Sequence, residues 1–279
     1  MKAILLNLSA WIMLPIMDGL AKYLSTSLPV LQIVWARYFF TVTLVLPIIL
    51  IFFRKNLKLS INYKLQFLRG ILLFTANILF FYSISIISLS KALTLAFTAP
   101  LIVTAFSPLF LLEKVGLYRW LAVITGFFGC LIVIRPGFID LNLATIAALG
   151  TGLMYGFYLI VTRKLSGTDN SLITLLFTGV VGAIIASFGM PFMWVSPSLN
   201  GWVIMILIGL FASIGHLFLI LSLKLADASK LAPFSYFEII PNIIIGFYFF
   251  DNLPDLFHLL GLLIIISSGL YIIKNELIK

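Results

Sequence analysis

Apolar residues run in unbroken blocks of about twenty, and the polar positions between them are few and clustered. These blocks predict ten membrane-spanning helices, over 3–24, 30–53, 65–87, 91–112, 118–135, 142–162, 171–194, 201–222, 231–250 and 256–273. The breaks use turn chemistry: Ser25-Thr26-Ser27-Leu28-Pro29, Arg135-Pro136-Gly137, Ser166-Gly167-Thr168-Asp169-Asn170 and Ser196-Pro197-Ser198. The longest polar stretch, Arg54 to Lys64, interleaves basic residues with Leu57, Leu59, Ile61 and Tyr63, a composition suited to anionic lipid headgroups. No connection is long enough to be a soluble domain.

Composition sharpens this pattern. The 279 residues are 62% hydrophobic and 10% charged, against about a quarter charged in a soluble domain, which excludes both a water-soluble fold and disorder. The start resembles a signal peptide, but Asp18 and Lys22 interrupt the place of a small-residue cleavage site, so an uncleaved first helix is expected. Cys130, the single cysteine, lies in an apolar run and is read as a packing residue with no disulfide to form. His216 and His258 lack metal-ligand spacing, so no metal is expected. Neither a phosphate-binding glycine loop nor a hydrolase motif is present, so no cofactor and no ATP hydrolysis are expected.

The net charge of +9 reads as topology rather than nucleic-acid binding. A cytoplasmic N-terminus puts thirteen basic residues on the cytoplasmic side, from Lys2 through Arg54, Lys114, Arg119, Arg163 and Lys224 to Lys279. The opposite side collects three, Lys22, Lys91 and Arg135, while Arg37 and Arg69 fall inside or at the edge of spans. Both termini are therefore expected in the cytoplasm.

An internal repeat is also visible. Ser90-Lys91-Ala92-Leu93 opens the fourth span and Ser229-Lys230-Leu231-Ala232 the ninth, at an offset of about half the chain, and the two spans close at Glu113 and Asp251. Both contain prolines: Pro100 and Pro108 in one, Pro233 and Pro241 in the other. Five spans is an odd number, so the second copy must be inverted, a sequence signature of secondary transporters. The expected units are 1–137 and 138–279.

Ionisable groups inside spans are costly and point to function or to buried pairs. At 1.5 Å per residue, Asp18 lies about 21 Å and Arg37 about 25 Å from the cytoplasmic ends of their spans, so the two could pair in the outer half, as a structural bridge or a gate. Pro15 would bend the first helix beside them. Glu238 and His216 lie about 12 and 10 Å from the inner side, with Tyr155 at a comparable level. A carboxyl there can take up and release a proton as the site opens to either side. Asn77, Tyr82, Thr98 and Asn242 add neutral hydrogen-bonding groups. Trp11, Trp35 and Tyr158 are candidate aromatic walls, and Trp194 and Trp202 interface anchors.

Several segments together carry a resemblance: Met17-Asp18-Gly19-Leu20-Ala21-Lys22-Tyr23, Ala36-Arg37-Tyr38, Leu68-Arg69-Gly70, Pro100 through Glu113 with Trp120 and Gly126, Ala232-Pro233-Phe234-Ser235-Tyr236-Phe237-Glu238, Asp251-Asn252-Leu253-Pro254-Asp255 and Leu260-Gly261. The chain resembles the drug/metabolite transporter superfamily, specifically its two-domain EamA family, nearest the bacterial branch that includes S-adenosylmethionine uptake transporters. That resemblance implies a central cavity lined by spans 1, 3, 4, 6, 8 and 9. It places Asp18, Asn77, Tyr82, Thr98, Tyr155, His216 and Glu238 on lining helices and leaves Arg37 outside them.

The expectation is an all-α polytopic carrier of the bacterial inner membrane, a monomer or homodimer. It moves a small cationic or zwitterionic metabolite by alternating access, with a proton or counter-solute as coupling partner. Export of amino acids or drugs is the alternative within the family. An intramembrane enzyme and a non-transporting scaffold are the rivals from other classes.

Overall fold

The computed structural model describes residues 1–52, 62–134, 142–251 and 256–277. Among these, regular structure is helical throughout, with no strand. The long helices are α1 (Lys2–Leu24), α2 (Val30–Phe52), α3 (Tyr63–Ile86), α6 (Leu117–Ile134), α7 (Leu143–Leu165), α8 (Ser171–Ser187), α10 (Leu199–Leu225) and α13 (Leu256–Leu277). Shorter pieces complete the chain: α4 (Leu89–Ala96), α5 (Ala99–Leu111), α9 (Met190–Met193), α11 (Ala228–Leu231), a 3-10 turn (Ala232–Glu238) and α12 (Ile239–Phe250). Among the described residues, seven helical runs are long and apolar enough to cross a membrane, counting Leu89–Leu111 and Ala228–Phe250 as one run each. The Arg135-Pro136-Gly137 break, most of the Arg54–Lys64 stretch and Asn252–Asp255 lie outside the described residues, as do the side chains of Cys130 and His258.

A bilayer offers no water to an unpaired backbone group, so helix ends must be satisfied by the chain itself. Asn142, Asn170 and Ser198 cap their helices through the N–H groups of Thr145 (3.0 Å), Leu172 (2.9 Å) and Gly201 (3.1 Å). Lys22 Nζ donates to the carbonyls of Ile84 (2.7 Å) and Ile87 (3.0 Å), neutralising the C-terminal end of α3.

Two runs break where the sequence places proline early. Pro100 stands in the first turn of α5, and Pro233 in the first turn of the 3-10 segment. A proline at a helix start removes only an N–H that has no partner there. The expectation fails for Pro15, which does not interrupt its helix, α1 being continuous from Lys2 to Leu24, whereas Pro241 stands in the first turn of α12, directly after the 3-10 turn that ends at Glu238. Packing of α1 against α10 holds the cylinder across the one rung missing at Pro15. The span expected at 171–194 also ends early, at Ser187, because Gly189 and Pro191 interrupt it and leave α9 as a single turn.

The broken runs Leu89–Leu111 and Ala228–Phe250 are 139 residues apart at both ends. Each terminates in a left-handed residue without glycine's freedom, Leu112 (φ 57°) and Asp251 (φ 52°). The main packings are α1 on α10, α3 on α7, α2 on α8 and α6 on α13. Each joins the first half of the chain to the second.

Close approach to the first break depends on α7. A Cβ at Gly152 would sit 2.6 Å from the carbonyl oxygen of Ala96, and one at Gly156 would sit 3.2 Å from that of Ala99. This is small-residue packing that lets one helix cover another's broken backbone. Gly152→Leu is expected to lower the thermal unfolding midpoint of the purified protein, at a cost of about 1–3 kcal/mol. An unchanged midpoint would show that this contact does not hold the break in place.

Candidate functional site

The breaks open onto a central cavity with about 630 Å³ of atom-free space, counting its mouth. Each wall is one face of a helix at i, i+3, i+4 or i+7 spacing: Trp11, Leu14 and Asp18 on α1, Ala76, Asn77 and Phe80 on α3, Thr151, Tyr155 and Leu159 on α7. His216 of α10, Ser235 of the 3-10 turn and Glu238 at its end close the site, with Phe97 and Pro100 from the first break.

Asp18, Asn77, Tyr155, His216 and Glu238 thus meet in one place, although depth counting separated an outer Asp18–Arg37 pair from an inner cluster. The difference comes from element geometry. The ninth run starts at Ala228 and includes a 3-10 turn, which rises about 2.0 Å per residue, so Glu238 sits about 18 Å along it rather than 12. Similarly, α10 continues to Leu225, putting His216 about 14 Å from its inner end.

Two expected members stand apart. Tyr82 points to the outside of the bundle, 36% exposed, because α3 turns the face bearing Asn77 inward. Thr98 sits in the break between α4 and α5, where its hydroxyl donates to the carbonyl of Leu95 at 3.3 Å rather than lining the cavity. Trp11 is an aromatic wall, edge-on to Tyr155 at 6.4 Å and tied by its Nε1 to Asn7 at 2.7 Å. Trp35 is not; it stacks on Phe39 at 4.5 Å and meets Trp194 at 5.5 Å, in an aromatic group that includes Trp202.

The carboxyls of Asp18 and Glu238 are 4% and 8% exposed at residue level, and among the described residues neither forms an ion pair. Asp18 does not bridge to Arg37. That guanidinium turns to His216, with Nη2 to Nε2 at 2.6 Å, and rests against Met17 Sδ at 3.3 Å. Glu238 is held by its backbone, whose carbonyl accepts from Asn242 Nδ2 at 2.9 Å. Beside it Tyr236 donates to the Val123 carbonyl at 3.0 Å, anchoring the 3-10 turn on α6. The Tyr155 hydroxyl is buried with no hydrogen-bond partner among the described residues.

Sequence reading missed Arg69 and the role of Tyr158. Arg69 is fully buried and donates to Thr162 Oγ1 (2.7 Å), the Thr174 carbonyl (3.0 Å), Thr178 Oγ1 and Tyr158 Oη (2.8 Å). Tyr158 Oη in turn meets His216 Nδ1 at 2.9 Å. A chain of contacts therefore runs Arg37–His216–Tyr158–Arg69 across α2, α10, α7 and α3. Its sequence signal was an arginine in an apolar run with threonines spaced along the facing spans.

At one end of the bundle, Glu113 accepts from the N–H groups of Ala228 (2.9 Å) and Ser229 (3.0 Å), and from Arg163 Nε at 3.2 Å. Arg163 also reaches Asp227 at 3.1 Å, and Arg119 reaches Ser229 Oγ at 2.8 Å. These contacts fasten the end of α5 to the start of the second broken run.

Residues 1–135 and 142–274 each match the EamA-like transporter family. Among curated proteins, the chain is 29% identical over 262 residues to the S-adenosylmethionine uptake transporter of Rickettsia bellii, covering 93% of this chain and 89% of that one. It is 27% identical over 277 residues to the riboflavin transporter of Vibrio cholerae, covering 96% and 92%. A solved crystal structure superposes with a TM-score of 0.78 at 15% identity, covering 96% of this chain and 95% of that one, a likeness of fold alone. The relatives named here are transporters, not enzymes.

Removing the Tyr158 hydroxyl strands Arg69 Nη2 and His216 Nδ1 in the interior. Tyr158→Phe is expected to destabilise the protein by about 1–3 kcal/mol per stranded donor, read as a drop in the unfolding midpoint. Equal midpoints would mean the two donors do not depend on this oxygen.

Proposed function

Because the chain belongs to the EamA-like transporter family, and is thereby a multi-pass membrane transporter, we propose that it carries a small cationic or zwitterionic metabolite, such as S-adenosylmethionine or an amino acid. The observation that carries this reading is the pair of carboxyls, Asp18 and Glu238, buried in one aromatic-walled cavity with no ion-paired partner among the described residues. A cation is the ligand that compensates such charge in low dielectric. His216, whose Nε2 accepts from Arg37, adds no positive charge to the cavity.

In this reading the chain has ten spans in two inverted five-helix repeats, 1–137 and 138–279, with both termini in the cytoplasm of a bacterial inner membrane. The recurrence of the broken runs at an offset of 139 residues supports the repeat, and the thirteen-to-three bias of basic residues supports the orientation. The halves rock about the cavity in alternating access. The Glu113–Arg163–Asp227–Arg119 network is the cytoplasmic gate, closed here and released when the site opens inward. A proton on Asp18 or Glu238, or a counter-solute occupying the same cavity, couples the cycle. Each chain contains a whole cavity, so one chain suffices whether the protein is a monomer or a homodimer.

The lining by Trp11, Phe80, Phe97 and Tyr155 favours a second reading, a planar neutral solute such as a flavin. Uptake into liposomes containing the purified protein separates the two. Labelled S-adenosylmethionine uptake by the wild type should fall about 10-fold or more in Glu238→Gln and in Asp18→Asn, the loss expected for one charge-assisted hydrogen bond. Riboflavin uptake that survives both substitutions, with no S-adenosylmethionine uptake by the wild type, would overturn the cationic assignment.

A further inference from the structure

The buried network around His216 holds more positive charge and more donors than its own acceptors absorb. Arg37 and Arg69 are 2% and 0% exposed, and among the described residues neither is ion-paired. Asp18 acts on Arg37 only through space. A guanidinium cannot accept a hydrogen bond, so Arg37 Nη2 donates and His216 Nε2 accepts in their 2.6 Å contact. The imidazole proton then sits on Nδ1 and is donated to Tyr158 Oη at 2.9 Å. Arg69 Nη2 donates to the same oxygen at 2.8 Å. With both lone pairs of that oxygen occupied, the phenolic hydrogen has no acceptor among the described residues. Arg37 Nη1 is buried without one as well.

These side chains face one another. Arg37, Arg69, Tyr158 and His216 line a second, small cavity, completed by Thr41 and Thr178 and by Tyr38 and the apolar Leu73, Leu175 and Ala212. Thr178 is already committed, its hydroxyl donating to the Thr174 carbonyl at 3.0 Å. Thr41 likewise donates to the Arg37 carbonyl at 2.8 Å. Two buried cations and two spare donors around one cavity leave a single requirement unmet, a negative charge.

We propose that this second cavity binds a small monovalent anionic group, a carboxylate or a halide, between Arg37 and Arg69. Arg37 Nη1 and the Tyr158 hydroxyl donate to it, and Arg69 contributes its field. His216 lines this cavity and the central one alike, so it is the partition between an acidic compartment and a cationic one. The anion has two sources. It is the carboxylate of the transported solute, whose cationic end is held at Asp18 and Glu238, in which case the assignment rests on the transport reading above. Or it is a free halide from the aqueous phase.

The test titrates the purified full chain with sodium bromide and sodium acetate at constant ionic strength, with gluconate as an anion too bulky for the cavity, and follows thermal unfolding. Bromide and acetate should each raise the midpoint saturably, and gluconate should not. Bromide-soaked crystals should show anomalous density between Arg37 and Arg69. Arg37→Lys keeps the charge but loses the forked donor, and should raise the half-saturating acetate concentration about 10-fold. Uptake stimulated by bromide assigns the free halide. Acetate competition by a carboxylate-bearing solute, but not by its decarboxylated amine, assigns the solute's own carboxylate. No saturable response of the wild type to either anion overturns the site. A wild type that transports cations without anion saturation refutes this cavity alone. One that binds the anions yet carries no cationic solute refutes the transport reading alone.

Discussion

Two helices lose their regular backbone in the middle of an apolar body, and a bilayer interior has no water to satisfy what they release. Protein has to cover those places. Gly152 and Gly156 bring α7 onto the break at Ala96–Ala99, while Tyr236 pins the 3-10 turn to the backbone of α6. The α12 and α4 pieces also pack on each other, so the two breaks share one neighbourhood. The central cavity is the space left when two interrupted helices are sheltered by four uninterrupted ones. Its irregular walls follow from the same proline-initiated turns that make the breaks.

Charge follows the same logic of mutual cover. Among the described residues, the acids and arginines of the cavities do not neutralise each other in pairs; they are sorted onto two sides of His216. Asp18 and Glu238 face the larger cavity, and Arg37 and Arg69 the smaller. Pairing them would have lowered the cost of burial and left the site inert. An imidazole and a phenol hold the two sets apart. The ion pairs that do form, among Glu113, Arg119, Arg163 and Asp227, lie at the bundle's end, where they tie the two halves together.

The halves of the chain interlock rather than fold side by side. The principal packings, α1 with α10, α3 with α7, α2 with α8 and α6 with α13, all cross between them. Helix faces of the two halves already touch closely, and Gly70 against Val181 or Gly19 against Ile245 are contacts that a larger side chain would crowd.

Much was legible in the sequence, because the periodicity of apolar residues and the position of proline are local properties. Helix content, the approximate spans and the breaks at Pro100 and Pro233 depend on little more than burial and turn chemistry, while the placement of Asp18, Asn77, Tyr155, His216 and Glu238 on lining helices came from the resemblance to a family. Tertiary structure decided the rest. Depth along a span could not be counted correctly without knowing that Ala232–Glu238 is a 3-10 turn with a longer rise. Pro15 was tolerated because neighbouring helices, invisible to a local pattern, hold the cylinder. Whether Arg37 met Asp18 or His216 was a matter of which helices lie side by side. So was the burial of Arg69 among threonines from two other helices, α7 and α8. Local sequence fixes which residues must leave water; only the packing of distant helices fixes which of them meet.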